Sequence, residues 1–258
     1  MQNNTFSTLF VGQNLIKLKE VDSTNNFLKE LVSKSEPLPE GTVIMADNQF
    51  AGRGQQNSVW QTQVGKNISL SIYLKPSFLP LDKQFYLNMA VSLAISETLS
   101  YFIASGISIK WPNDMYYLDK KLGGVLIENS LTGTIIKSSV IGIGLNINQT
   151  DFPNEIAHRA TSVIQILQKE FQLEVIMEKL FVFMEKYYLV LKSGKFERLK
   201  SRYLEKLYAI NKLAYYKEDG RVFEGEIIGV EDEGRLIMKV GNHQKSFNFK
   251  QIEFTHTK

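Results

Sequence analysis

The sequence predicts an α+β fold: a sheet packed with helices, followed by a small β-barrel. Three observations predict it. Strand-like and helix-period runs alternate as far as Tyr208, one long mid-chain segment has helical periodicity, and short alternating strands follow Asn211.

Leu15 to Leu18 reads as a strand. Asp22-Ser23-Thr24-Asn25 then offers capping side chains to a helix marked by Phe27, Leu28 and Leu31. Gly41 to Ala46 is a β-branched run ending at Asp47-Asn48-Gln49. Residues 50–66 lose periodicity and read as a loop. In Asn67 to Leu74, Ile68, Leu70, Ile72 and Leu74 alternate with polar partners, which predicts a half-buried strand. Tyr86 to Ile109 carries one charge, Glu97, and is long enough to raise a membrane span. Gln84, Asn88, Ser92, Ser96 and Ser100 would form a polar stripe there, with Leu87, Val91, Ala94, Ile95, Leu99 and Phe102 opposite. That pattern predicts an amphipathic helix lying on a sheet. Ile107 to Trp111, Gly123 to Glu128 and Ile135 to Ile147 read as strands, the last two joined by a turn at residues 131–134. Val163 to Tyr208 is helical, with Leu180, Phe183, Met184, Tyr187 and Leu191 at helical spacing.

Beyond Asn211, Glu218-Asp219-Gly220, Asp232-Glu233-Gly234 and Gly241-Asn242 cut the chain into short strands, the pattern of a small barrel. A boundary is therefore expected between 1–210 and 211–258.

The chain has 258 residues, 30 Lys plus Arg against 27 Asp plus Glu, and a formal charge of +3. That balance argues against a protein that coats nucleic acid, which needs a concentrated basic footprint. With no cysteine, disulfides, thiolate metal sites and a Cys nucleophile are excluded. Met1 to Phe10 is polar and lacks the pattern of a secretory leader, so a cytoplasmic protein is expected.

Four segments carry candidate chemistry. In Gln49-Phe50-Ala51-Gly52-Arg53-Gly54-Gln55-Gln56-Asn57-Ser58-Val59-Trp60, two glycines flank an Arg, so backbone N–H groups and a guanidinium could meet an anion. The alternative is a plain connection with Arg53 solvated. Lys110-Trp111-Pro112-Asn113-Asp114 gathers four kinds of functional side chain at a strand end. Its structural alternative is a turn with Trp111 in the core and Lys110 paired to Asp114. Lys120-Lys121-Leu122-Gly123-Gly124-Val125-Leu126-Ile127-Glu128 leads a lysine into a strand whose glycines let a ligand approach, or else forms a basic hairpin turn. Gly142-Ile143-Gly144-Leu145-Asn146-Ile147-Asn148 imitates a dinucleotide fingerprint without its third Gly or its helix. It reads better as a strand with room for a ligand. His158, His243 and His256 lack metal-ligand spacing, and no resident metal site is expected.

Taken in order, these segments resemble the biotin–protein ligases: the Gly-Arg-Gly loop ending in Trp60, Lys-Trp-Pro-Asn-Asp, Lys-Leu-x-Gly and Gly-x-Gly-x-Asn, with Asp22-Ser23-Thr24-Asn25 upstream. The resemblance runs from about Leu15 through the C-terminal barrel. It implies a mixed-sheet catalytic domain related to class II aminoacyl-tRNA synthetases and lipoate ligases, then the barrel, in a short form without the DNA-binding domain of some members. It implies an ATP-dependent ligase that makes biotinyl-5′-AMP and transfers biotin to a lysine of a biotin carboxyl carrier domain of a carboxylase. ATP, Mg²⁺ and biotin are the small molecules required, neither DNA nor membrane is needed, and the chain is a monomer or homodimer. An edge strand at Gly142 to Asn148 is a candidate dimer contact.

By the same resemblance Arg53, Lys121 and Asp114 are catalytic. Ser23, Thr24, Asn25, Gln49, Gly52, Arg53, Gly54, Gln55, Lys121 and Gly124 bind biotin, and Arg53, Trp60, Asn113, Lys121 and Asn146 bind the adenylate side. Many members carry Arg where this chain has Gln55. Retention of the intermediate is therefore expected to lean on backbone N–H groups and Lys121. A lipoate-type ligase and a non-catalytic protein- or RNA-binding module are the competing readings.

Overall fold

The structure, a computed structural model, describes residues 6–34, 37–55 and 58–255; Gln56, Asn57 and His256 lie outside them. Strands β1 (Leu15–Val21), β2 (Val43–Gln49), β3 (Ile68–Leu74), β4 (Ile107–Lys110), β5 (Asp114–Tyr117), β6 (Lys120–Thr132) and β7 (Ile135–Leu145) form one mixed sheet in the order β1-β2-β3-β7-β6-β5-β4. β1 and β2 are parallel, as the intervening helix α1 (Thr24–Lys34) allows. The remaining neighbours pair antiparallel.

Helix α2 (Phe85–Phe102) packs on one face of this sheet. Two short helices follow β7, α3 (Asn154–Ala157) and α4 (Val163–Leu167). Then α5 (Leu173–Lys192) and α6 (Phe196–Glu205) close over α2. On the other face α1 buries Leu28 against Ile44, Tyr73 and Val140. Cover on both faces explains why all seven residues of β3 are buried, where alternation predicted a half-buried strand. The same cover corrects the reading of α2. Ser92 and Ser96 of its polar stripe are fully buried and their hydroxyls have no hydrogen-bond partner, because α5 and α6 occupy the side expected to face water. Asn88, from the same stripe, donates to the Pro112 carbonyl at 2.7 Å. No helix of the described residues is long and apolar enough to cross a membrane.

Gly142 to Leu145 lie in β7, between β3 and β6. They are central rather than edge residues and offer no free strand for a dimer contact.

The C-terminal strands β8 (Leu213–Glu218), β9 (Arg221–Val230), β10 (Leu236–Val240), β11 (His243–Phe247) and β12 (Glu253–Phe254) form a second, antiparallel sheet in the order β11-β10-β9-β8-β12. Tyr216, Ile227, Leu236, Met238 and Phe247 belong to the same apolar cluster as Met115 and Leu122, so the core is continuous. The turn at residues 232–234 carries the docking contacts. Trp111, buried in the core, donates its indole N–H to the Gly234 carbonyl at 2.8 Å. Asp232 accepts from Tyr86 at 2.8 Å and from Lys200 at 2.7 Å.

Trp111→Phe strands a buried carbonyl and is expected to cost about 1–3 kcal/mol. The check is a lower urea midpoint at unchanged m; a wild-type midpoint would show that this bond does not hold the second sheet in place.

Candidate active site

Register places small residues side by side across the middle of the large sheet. Ser69 pairs with Gly144, Gly144 with Gly124, and Gly124 with Asp114. One step along, Ser71 pairs with Gly142. Alternate residues of a strand share a face, so these positions form a trough on the face that also carries α1. The trough is part of a cavity of about 240 Å³.

The cavity brings together twelve of the expected site residues: Ser23, Thr24, Asn25, Gln49, Arg53, Gly54, Gln55, Trp60, Asn113, Asp114, Lys121 and Gly124. Two others do not line it. Gly52 lies behind the loop, accepting from the Trp60 N–H at 2.9 Å, and a side chain there would strike the Trp60 carbonyl. Asn146 is buried just past β7, where its amide donates to the Thr161 carbonyl at 3.1 Å and its own N–H donates to the Leu122 carbonyl at 2.9 Å. Those bonds lock it into the link between β6 and α4 and hold it back from the cavity.

The glycines of β7 make room, as expected, but for side chains of this chain. A Cβ on Gly144 would overlap the Trp60 indole, and one on Gly142 would overlap the Asn25 amide at the start of α1. The Gly-Arg-Gly loop turns back on itself: the Gly54 N–H donates to the Ser58 carbonyl at 2.7 Å and the Ala51 N–H to the Asp22 carbonyl at 2.9 Å. Within the Gly-Arg-Gly unit, whose N–H groups could meet an anion, the Gly54 N–H is therefore already engaged.

A chain of polar contacts crosses the α1 end of the cavity. The Gln49 side-chain carbonyl accepts from the Thr24 N–H at 2.8 Å and from the Thr24 hydroxyl at 3.1 Å. The Ser71 hydroxyl lies 2.7 Å from the Thr24 hydroxyl and 2.6 Å from the Asn25 amide oxygen. Asn25 in turn donates to Glu128 at 2.8 Å. Asn113 donates to the Val125 carbonyl at 2.5 Å, fixing the β5–β6 junction.

Both catalytic candidates of positive charge are paired. Lys121 contacts Asp114 at 2.7 Å, and Arg53 contacts Glu128 at 2.8 Å. Arg53 is thus not merely solvated. Nor does Asp114 pair with Lys110, the structural alternative read for that segment. Lys110 donates to the Tyr116 hydroxyl at 2.9 Å and lies over the Tyr116 and Phe254 rings, and burial lowers its amine to about 8. Glu128 also contacts Lys29 at 2.7 Å. Burial works to raise its carboxyl, but hydrogen bonds from Lys29 and Asn25 and the Arg53 charge outweigh it, so the carboxyl lies below its usual range. Among the described residues no group of three His, Asp or Glu side chains could hold a metal ion.

Sequence reasoning missed several participants. Ser69 and Ser71 were visible as the polar half of an alternating strand. Glu128 closed a quoted segment but drew no role. Phe249 and Lys250 reach the cavity wall from the connection between β11 and β12, and nothing local in the sequence signals that.

Residues 18–146 match the model of the Biotin/lipoate A/B protein ligase family. The bifunctional ligase/repressor BirA of Bacillus spizizenii is 31% identical over 248 residues, spanning 95% of this chain and 75% of that protein. This chain belongs to the biotin/lipoate ligase family. Within that family, the biotin–[acetyl-CoA-carboxylase] ligase of Mycobacterium tuberculosis is 31% identical over 130 residues, 49% of this chain and 46% of its own length. Among solved structures, the biotin protein ligase of Aquifex aeolicus in complex with biotin and ATP superposes with a TM-score of 0.80 at 28% identity. It covers 95% of this chain and 99% of its own. The Leishmania major ligase in complex with biotinyl-5-AMP, at 20% identity and a TM-score of 0.62, matches over 91% of this chain and 98% of its own, and shares the fold.

Two outcomes test the site's construction. Gly144→Ala should expel the indole from the trough, cost about 1–3 kcal/mol and shift Trp60 emission to longer wavelength; unchanged emission would mean that the indole does not rest there. Glu128→Gln should lower stability at neutral pH by up to about 1 kcal/mol. A carboxyl depressed in the fold contributes above its unfolded value and loses that contribution as pH falls through the folded one. The gap from wild type in urea midpoint should therefore shrink from about pH 7 toward pH 3; a constant gap would contradict the ion pairing.

Proposed function

We propose that this chain is an ATP-dependent biotin–protein ligase, which activates biotin as biotinyl-5′-AMP and transfers it to a lysine of a biotin carboxyl carrier domain. One observation carries the reading most directly. Arg53 and Lys121, far apart in sequence, line one cavity floored by Gly124, next to neutral polar groups suited to a ureido ring.

In the first step a biotin carboxylate oxygen attacks the α-phosphorus of MgATP, forming the mixed anhydride and releasing pyrophosphate. Two anions must meet, so fixed positive charge at the bond-forming oxygens lowers the barrier most. Arg53 and Lys121 are assigned that work. Each would exchange its carboxylate for ligand oxygens. Magnesium enters with the nucleotide, which suits a cavity wall offering the single carboxylate of Asp114, since Mg²⁺ is commonly held by one or two carboxylates plus substrate phosphates. Ser23, Thr24, Asn25 and Gln49 are assigned to the ureido ring. Thr24 and Gln49 are already oriented by their hydrogen bonds to each other, and Asn25 by its bonds to Ser71 and Glu128.

The cavity, at about 240 Å³, is smaller than the roughly 300–1,000 Å³ usual for drug-sized ligands. In this reading the Trp60 indole lifts from Gly144 as the acyl chain enters, and then covers the adenylate to keep water from the anhydride. In the second step the neutral amine of the acceptor lysine attacks the acyl carbon and AMP leaves, with Asp114 assigned to position the amine or take its proton. The C-terminal region, whose β11–β12 connection supplies Phe249 and Lys250, is assigned as a second unit completing the nucleotide side. The carrier domain and a cytoplasmic setting complete the reading.

Biotin-dependent exchange of pyrophosphate into ATP is the test. Wild type should support it with biotin. Arg53→Ala or Lys121→Ala should each lower it by about a hundredfold, roughly 3 kcal/mol. Exchange with lipoate in place of biotin would favour a lipoate-type ligase, and exchange with neither would favour a binding module.

A further inference from the structure

We propose that Glu128 is a positioning residue, a shared counter-charge that couples the biotin end of the cavity to its phosphate end. This rests on the reading of the cavity given above. Glu128 does not itself line the cavity, so it acts through its partners. One of its oxygens, Oε2, receives Arg53 from the Gly-Arg-Gly loop and Asn25 from the first turn of α1, each at 2.8 Å. The other, Oε1, receives Lys29 at 2.7 Å. Asn25 passes the contact on, through Ser71 and Thr24, to Gln49. A residue assigned to phosphate and a residue assigned to biotin thus depend on the same carboxylate oxygen.

That arrangement fixes Asn25. Its amide nitrogen is anchored by Glu128 and its oxygen by Ser71, so only one flip of the amide suits the site. The same arrangement restrains Arg53. While the guanidinium is paired, its charge is compensated, and an incoming triphosphate must compete with Glu128 for it. The pair is partly open to solvent, with 38% of the Arg53 side chain and 25% of the Glu128 side chain exposed, so the restraint is weak enough for a ligand to displace.

Two opposite effects follow from removing the charge alone. Glu128→Gln releases Arg53 toward the nucleotide and loosens Asn25. The KM for MgATP should fall and the KM for biotin should rise, each by about two- to fivefold, as expected for a half-exposed pair, with kcat changing less. General damage to the site would raise both constants together. In an Arg53→Ala background, Glu128→Gln should no longer move the KM for MgATP, while its effect on biotin persists.

A ligand-free measurement runs beside the kinetics. Trypsin should cut after Arg53 about two- to fivefold faster in Glu128→Gln than in wild type, since the tether is gone. Both KM values moving the same way, or cleavage unchanged in a variant whose circular dichroism matches wild type, would overturn the proposal. A wild type inactive with biotin would instead overturn the reading of the cavity, and the cleavage result would still decide whether Glu128 tethers the loop.

Discussion

The trough at the centre of the large sheet exists because its strands lack side chains where neighbouring strands would carry them. Gly124, Gly142 and Gly144 face the same side at matched register, beside Ser69 and Ser71. Glycine in a strand is unfavourable by roughly 0.5–1 kcal/mol relative to alanine. Here the opposite face offsets it, since Leu70, Val125, Ile141, Ile143 and Leu145 are buried in the cluster that α2 covers. A rigid, well-packed layer on one side thus permits an under-filled layer on the other. Trp60 and Asn25 occupy the room this leaves, each held where a single added methyl would expel it.

Charge follows the same logic of provisional filling. Two cations lining one cavity repel each other unless something compensates them. Asp114 and Glu128 do so for Lys121 and Arg53. The carboxylates keep the cations oriented and are of the same chemical kind as the ligand oxygens that would replace them. Such a cavity can be stable empty and still present positive charge to an anion, without the strongly basic surface that the overall charge of +3 argues against.

Most of the secondary structure was legible in the sequence because it is written in local periodicity, and the four segments carried most of the residues that line the candidate cavity because their chemistry is local too. What failed was non-local. The serines of α2 read as a solvent face because periodicity shows only that a stripe differs from its opposite, not what covers it; α5, some eighty residues on, covers it here. Gly142 to Asn148 read as an edge because strand order is not encoded in the strand itself. Asn146 was expected at the cavity, yet satisfying the buried groups around Leu122 and Thr161 decides where its amide points. Glu128 was visible as a residue but not as a partner, since its contacts come from α1 and from the loop after β2.

A crystal structure with biotin and a non-hydrolysable ATP analogue tests the central claim most directly. The account predicts the acyl chain over Gly124 and Gly144, the ureido ring against Ser23, Thr24 and Gln49, and the α-phosphate bracketed by Arg53 and Lys121 after both have left their carboxylates. Ligand bound elsewhere, or bound in the trough with Arg53 still on Glu128 and away from every phosphate oxygen, would contradict it.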